Sequence, residues 1–346
     1  MTETSTEVRI NIEAVVNEIL DTIDKERERE IIARRFGLFD RRETLEQIGE
    51  LLGITRERVR QLEKAVVSRL KTLGEQGKLP RIDTIETAFM EHVQKMGSGA
   101  RISDLSAKLT DANTRTDQAR VLFLAQLCPQ LVVIEENDYF HQGVVLASEY
   151  SEKAAKDQIT KIIDAIKKIG EPTPIEPVAT ALKSDANKTA ALASLSKQLA
   201  TLNGRWGLIK WPMVNPKNIR DKIYVILYEN GKHMHFSEIS EAIKDSDFKR
   251  KDVTTQAIHN ELIKDKRFVL VGRGIYALKE WGYKKGTVAD VISDVLRKAG
   301  EPLHRDEIVK RVLKNRYVKE TTILLNLQGK KQFKRVAKAT YTLAEE

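Results

Sequence analysis

The chain has 346 residues, 59 Lys plus Arg against 50 Asp plus Glu, a net charge of +9 and 41% hydrophobic residues, enough for several small cores and basic enough to favour polyanionic partners. A single cysteine, Cys128, excludes an intrachain disulfide framework and any multi-thiolate metal site. No apolar run is long enough to span a bilayer, so a cytoplasmic protein with no membrane partner is expected.

In chain order, residues 1–8 form a polar tail, expected to be disordered. Ile12, Val15, Val16, Ile19, Leu20 and Ile23 then recur at amphipathic spacing and predict a helix that packs on the first domain, placed at 9–75. In "ETLEQIGELL", Thr44 with Gln47 three residues on forms a capping-box pattern, and Leu45, Ile48, Leu51 and Leu52 predict a short helix over 45–52. Gly53 breaks it. Thr55 then caps a second helix whose inner face is Val59, Leu62, Val66 and Leu70. Helix, glycine turn, helix is the helix-turn-helix arrangement.

On that second helix Glu57, Arg60, Gln61 and Lys64 fall opposite the apolar stripe, with Arg56 at the exposed first turn. Arginine can pair bidentately with guanine, glutamine with adenine, and glutamate can accept from cytosine. Arg56, Glu57, Arg60 and Gln61 are therefore the candidate base-reading set. Thr55, Arg58 and Lys64 are candidate phosphate contacts, which position a protein without specifying sequence. The competing reading is a solvated, salt-bridged face, since Glu57 with Arg60 and Arg60 with Lys64 have the spacing such a face shows. The capped partner helix and the Gly53 turn favour DNA.

Together "EREREIIARRFGL" and "ETLEQIGELLGITRERVRQLEKAVVSRLK" resemble region 4 of the primary RNA polymerase sigma factors, from Asp24 to Leu73. The resemblance implies that the second helix reads the minus-35 promoter hexamer in double-stranded DNA through Arg56, Glu57, Arg60 and Gln61. It also implies that the segment Arg27 to Phe36 contacts the β flap of the polymerase core. The clamp-gripping region and the promoter-melting aromatic helix of a complete sigma factor are not found. Trp206, Trp211 and Trp281 fall at or just after hairpins, where packing is expected.

Beyond residue 80 a unit repeats: "KMGSGARISDLSAKL", "KIGEPTPIEPVATAL", "ENGKHMHFSEISEAI" and "KAGEPLHRDEIVKRV" each put a glycine (Gly97, Gly170, Gly231, Gly300) between two helical periods. A third helix follows in each unit, and then a tight hairpin in "QLVVIEENDYFHQGVV", "GRWGLIKW", "RFVLVGRGIYALKE" and "FKRVAKATYTLAEE". These are winged-helix units, placed at 81–148, 152–213, 219–283 and 286–344. The expected fold class is mainly α with small β wings, a multi-domain array of one helix-turn-helix domain and four winged-helix units. The text "AIHNELIKDKRFVLVGRGIYALKEWG", after "IYVILYENGKHMHFSEISEAI", closely resembles the HARE-type helix-turn-helix family, which includes the N-terminal domain of the RNA polymerase delta subunit. Residues 286–343 resemble it more loosely, through "VLRKAGEPLHRDEIVKRV". That resemblance implies docking on polymerase or on DNA.

Charge turns from slightly acidic before residue 150 to basic after it. Arg273 at the third hairpin tip, and Lys330, Lys331, Lys334 and Arg335 around the last one, are candidate phosphate contacts. Lys249, Arg250 and Lys251, ahead of Thr254, Thr255, Gln256 and Asn260, are evenly balanced between a DNA groove and a solvated edge. His233 and His235 invite a metal reading, but His235 aligns with His304, Pro174 and Arg101, which marks a recurring turn position. No catalytic constellation, cofactor, metal or small-molecule substrate is expected.

The sequence thus points to a DNA-binding factor of bacterial transcription initiation, not an enzyme, whose partners are promoter DNA and the RNA polymerase core, through the β flap or β′. Two alternatives stay open. One is a delta-like polymerase-associated scaffold with little DNA specificity, and the other a nucleic-acid-processing enzyme that uses these domains as targeting arms.

Overall fold

The computed structural model describes residues 11–250, 252–283 and 286–344; the tail at 1–8 and Lys251 lie outside the described residues. The N-terminal helices are α1 (Ile12–Asp21), α2 (Glu26–Phe36), α3 (Leu45–Leu52) and α4 (Arg56–Glu75). The first winged unit runs α5 (Ile82–Lys95), β1 (Gly99–Arg101), α6 (Ile102–Leu109), α7 (Arg115–Leu127), β2 (Leu131–Ile134), β3 (Gly143–Leu146). The second runs α8 (Glu152–Ile169), α9 (Ile175–Ala181), α10 (Ala186–Ser194), β4 (Leu199–Leu202), β5 (Arg205–Leu208). The third has α11 (Ile219–Asn230), β6 (Met234–His235), α12 (Phe236–Asp245), α13 (Thr255–Lys264), β7 (Phe268–Gly272) and β8 (Ile275–Leu278). The fourth has α14 (Val288–Ala299), β9 (Leu303–His304), α15 (Arg305–Leu313), α16 (Glu320–Gly329), β10 (Phe333–Ala337) and β11 (Thr340–Leu343). The fold is mainly helical with small antiparallel sheets, as expected. It divides into two compact units, 1–210 and 211–346.

The repeat has a physical basis. Gly170, Gly231 and Gly300 each close the first helix of their unit in the left-handed conformation. The residues aligned by the repeat, Arg101, Pro174, His235 and His304, all occupy the N-cap of the second helix. The two histidines cap with the ring: Nδ1 of His235 accepts from the Ser237 N–H at 3.3 Å, and Nδ1 of His304 from the Asp306 N–H at 3.4 Å. Between glycine and N-cap, where the sequence reads only as a turn, three units carry a short strand paired to the last strand of the hairpin. The sheet orders are β1-β3-β2, β6-β8-β7 and β9-β11-β10. In the second unit this strand shrinks to the Thr173–Trp206 bridge.

Two hairpins differ from expectation. In the second unit "GRWGLIKW" supplies only the second strand of the hairpin; β4 precedes it and the turn is Asn203-Gly204, both at positive φ (50° and 74°). In the first unit β2 and β3 are joined by the longer connection 135–142 rather than by a tight turn. The third hairpin turns at Arg273-Gly274 as predicted, with an irregular register between Leu270 and Gly272. The fourth repeats that irregularity between Arg335 and Ala337. Where the third has Gly274 at φ 70°, the fourth has Ala339 at φ 55°. A Cβ is disfavoured there. Ala339→Gly is therefore expected to stabilise the fourth unit by about 0.5–1 kcal/mol in chemical denaturation. A loss of stability would show that a left-handed residue 339 costs nothing.

The expected boundary between 75 and 81 is not a boundary in the core. Ile12, Val15, Val16, Ile19, Leu20 and Ile23 of the N-terminal segment, and Val66 and Leu70 of α4, share one buried cluster with Ile85, Phe89 and Val93 of α5 and Phe123 and Leu124 of α7. Phe36 meets Phe123 edge to face at 5.1 Å between ring centroids. Arg120 of α7 donates to the Leu38 carbonyl at 2.8 Å and pairs with Glu13 at 2.9 Å. Cys128 is buried in the same core, and burial pushes its thiol pKa well up, so it serves as a small apolar group.

Candidate nucleic-acid interface

The helix-turn-helix is α3 and α4, with α2 packed against both. Thr44 closes the predicted capping box: its hydroxyl accepts the Gln47 N–H at 3.2 Å, and Gln47 returns its side-chain oxygen to the Thr44 N–H at 2.9 Å. Gly53 ends α3 at φ 64°, and Thr55 starts α4 by accepting the Arg58 N–H at 3.2 Å. Gly49, which the sequence reading did not single out, fixes the closeness of this turn. A Cβ there would lie 2.7 Å from the Ile54 carbonyl oxygen. Ile31, Ile48 and Val59 are fully buried as the small core of the motif. Charged braces hold α2 to α4: Arg35 pairs with Glu63 at 3.0 Å, and Arg69 with the buried Glu28 at 3.1 Å. Arg34 is bound by Glu30 and Glu43, and Arg27 donates to the Leu52 carbonyl. The basic side chains between Arg27 and Phe36 thus serve the motif's own architecture.

Arg56, Glu57, Arg58, Arg60, Gln61 and Lys64 are all exposed on α4, away from Val59, Val66 and Leu70. Glu57 is the hub of this edge. Its carboxylate takes two hydrogen bonds from Arg60, at 2.6 and 2.8 Å, and one from the Gln61 amide at 3.3 Å. Arg58 in turn donates to the Gln61 side-chain oxygen at 3.4 Å. The spacing that a solvated face would use is therefore in use in the free protein, and Arg58 is linked to the set meant for bases. Arg56 and Lys64 form no ion pair among the described residues. The Thr55 oxygen is engaged as a cap, which leaves its proton free to donate.

The hydrogen bonds from Arg60, with a smaller contribution from Gln61, hold the Glu57 pKa down at about 2, below the ordinary carboxylate value of 4.5. A lowered folded-state pKa means the pairing is fully present above the unfolded value and is lost only as pH falls through about 2. An NMR titration of the Glu57 carboxyl carbon is expected to have its midpoint near 2. A midpoint at the ordinary value would show that the hub does not persist in solution.

The four third helices of the winged units are not equivalent. α7 packs on α1, α2 and α4, and Arg115 at its first position is its one residue with an exposed side chain. α10 packs on β1 of the preceding unit, where Arg101 donates to the Ser194 carbonyl. By contrast α13 presents Gln256, Asn260 and Ile263 to solvent, and α16 presents Thr321, Leu325 and Gln328. Arg273, Lys330, Lys331, Lys334 and Arg335 are exposed at or beside the last two wings, Arg335 also donating to the Ala337 carbonyl at 3.1 Å. Lys249 and Arg250 are exposed as well, and their backbone carbonyls accept from the buried Lys222 ammonium at 2.8 and 2.6 Å. His233 stacks on Tyr317 at 4.2 Å. Among the described residues no group of three or more His, Cys, Asp or Glu could hold a metal ion, and no helix is long and apolar enough to cross a membrane.

Residues 25–72 match the family model described as Sigma-70, region 4. RNA polymerase sigma factor RpoD of Helicobacter pylori (strain ATCC 700392 / 26695) is 42% identical over 67 residues, 19% of this chain and 10% of that protein. RNA polymerase sigma factor sigB of Arabidopsis thaliana is 44% identical over 57 residues, 16% of this chain and 10% of that protein. RNA polymerase sigma factor SigA of a Bacillus species is also 44% identical over 57 residues, 16% of this chain and 15% of that protein. The likeness thus covers a small part of each relative, and the family-model match lies in the N-terminal helices of this chain.

Proposed function

From the premise that residues 25–72 are a sigma-70 region 4 domain, a DNA-binding element of sigma factors, we propose that the chain is a sequence-specific transcription factor of bacterial initiation. It recognises minus-35-like promoter DNA through α4 and associates with the RNA polymerase core, through the β flap or β′. It works by binding, with no covalent step and no cofactor, and is nucleoid-associated. The observation that carries the reading is the exposed edge Arg56, Glu57, Arg60 and Gln61, whose residue types match base edges, on a helix locked by the Thr44 capping box and the Thr55 cap. Arg58, Lys64 and the Thr55 hydroxyl supply phosphate contacts, and Arg273 with Lys330, Lys331, Lys334 and Arg335 adds salt-sensitive affinity from the wings. The test is co-purification with RNA polymerase combined with genome-wide mapping of bound sites. Enrichment centred on minus-35 positions supports both halves of the proposal, and scattered sites with no polymerase recovered overturn it.

A second reading is favoured by the packing of α7 and α10. With their third helices covered, the first two winged units act as a scaffold, while the HARE-like third and fourth units, whose α13 and α16 are open, dock on polymerase as delta-like modules. A salt titration separates the two readings: duplex affinity that falls steeply with salt supports the promoter-binding factor, and no measurable duplex binding supports the scaffold.

A further inference from the structure

Beside the reading edge, within the N-terminal compact unit, lies a cleft of 1410 Å³. One wall is the α2–α3 loop and the flank of α4. The other is the first winged unit: one face of α7 from Arg115 to Gln126, the β1–α6 junction and the β2–β3 connection. Six exposed cations line it, and five of them, Arg41, Arg42, Lys64, Lys71 and Arg115, form no ion pair among the described residues, the sixth being Arg60 on Glu57. The carboxylates there are mostly engaged. Glu63 is held by Arg35 at 3.0 Å and Glu136 by Lys197 at 2.7 Å, while Glu135 accepts from the amides of Gln126 and Gln142. Asp40 and Glu135 are left without a cation among the described residues, two carboxylates against five unpaired cations. The cleft therefore carries an unneutralised positive field between two walls, where such a field is strongest.

Arg60 lines this cleft as well as belonging to the base-reading set, so the two surfaces are continuous. Lys64 and Lys71 follow Arg60 by four and eleven residues, on the same face of α4, and so extend its edge along the cleft. Arg115 faces the same space from α7. The rest of the α7 face on the cleft, Gln118, Ala119, Leu122 and Gln126, is half-buried, so what this unit exposes there is the charge of Arg115. An acidic protein segment would need exposed apolar anchors, and the apolar residues of the lining, Phe36, Leu45, Val67, Ile102, Ala119 and Leu122, are all half-buried or buried.

We propose that the cleft between α4 and the first winged unit is a second DNA-binding site that grips the phosphodiester backbone of a duplex read by α4, independently of sequence. This rests on the reading of α4 as a DNA-binding helix. The winged unit then acts as a clamp, raising affinity for every sequence equally and leaving selection to α4.

The test compares the full chain with a variant carrying Arg41→Gln, Lys71→Gln and Arg115→Gln, all exposed changes, by fluorescence anisotropy on short DNA duplexes across a salt series. Each phosphate contact contributes about 0.9 to the slope of log affinity against log salt, so three lost contacts lower its magnitude by about 2.7. The ranking of duplex sequences is expected to stay the same. A control carrying Lys153→Gln, Lys161→Gln and Lys168→Gln, on α8 and outside the cleft, removes the same three charges and is expected to keep the parent slope. If the cleft variant keeps that slope while Arg60→Ala still relaxes base preference, the clamp is refuted and the reading of α4 survives. If the control loses as much slope as the cleft variant, the effect is net charge and the clamp is also refuted. If the unaltered chain binds no duplex, both readings fall. Polyglutamate binding that the cleft variant loses, with the duplex slope unchanged, assigns the cleft to an acidic protein and overturns the proposal.

Discussion

Replacing Arg60 and Gln61 by alanine is expected to reduce base discrimination at the positions they face on the order of 10- to 100-fold, while the protein stays folded. Arg60 is 55% exposed in its side chain, and its one partner, Glu57, is equally exposed. Neither residue contributes to the Ile31, Ile48 and Val59 core, so the substitutions leave no cavity and no buried group unpaired. The loss in binding comes from bidentate contacts that alanine cannot make. Glu57→Gln separates two roles for the hub. If the carboxylate only preorganises Arg60, the amide variant weakens binding to all duplexes alike; if Glu57 also accepts from a base, preference shifts at one position. Binding across a set of duplexes with single base-pair changes measures both variants. Full retention of preference in the Arg60 and Gln61 double variant would remove α4 as the reading helix.

The helix-turn-helix was legible to the residue because its determinants are local. Thr44, Gln47, Gly53 and Thr55 act over three or four positions, and the structure places each in the predicted role. The repeat was legible for the same reason, since a helix end needs its left-handed residue and a helix start needs its cap wherever the unit packs. What lay outside the sequence was the choice of partner. The stripe Ile12 to Ile23 states that a face is buried, but a stripe does not say against what, and it packs on α7 of the next unit as well as on its own helices. One warning was present: Val121, Phe123, Leu124, Ala125 and Leu127 are too crowded for a one-sided helix, and α7 is indeed enclosed on several sides. The Asn203-Gly204 turn was also written in the sequence, as a type I′ pair, and was read one strand late. The short strands β1, β6 and β9 had no signal of their own, because two or three residues show no period.

Phe89→Ala is expected to destabilise the N-terminal compact unit by about 3–5 kcal/mol, the usual cost of deleting a fully buried phenyl ring. The consequence for function lies in where that loss is felt. Phe89 belongs to α5, yet its cluster includes the buried face of α1 and the residues Val66 and Leu70 from the second half of α4. The first half of α4 is held separately, by Val59 in the small core and by the Thr55 cap. Amide hydrogen exchange is expected to show α1, α5, α7 and the end of α4 losing protection together, with α3 and the turn at Gly53 least affected. Loss confined to α5–α7 would restore a boundary near residue 75 and make the helix-turn-helix self-sufficient. With the shared core, the same variant is expected to lower affinity for every duplex and leave base ranking intact. Arg56, Glu57, Arg60 and Gln61 keep their local frame while the helix that carries them loses its anchor. On the proposed reading, the residues that select sequence keep their frame, while how firmly α4 presents them depends on a core shared with the first winged unit.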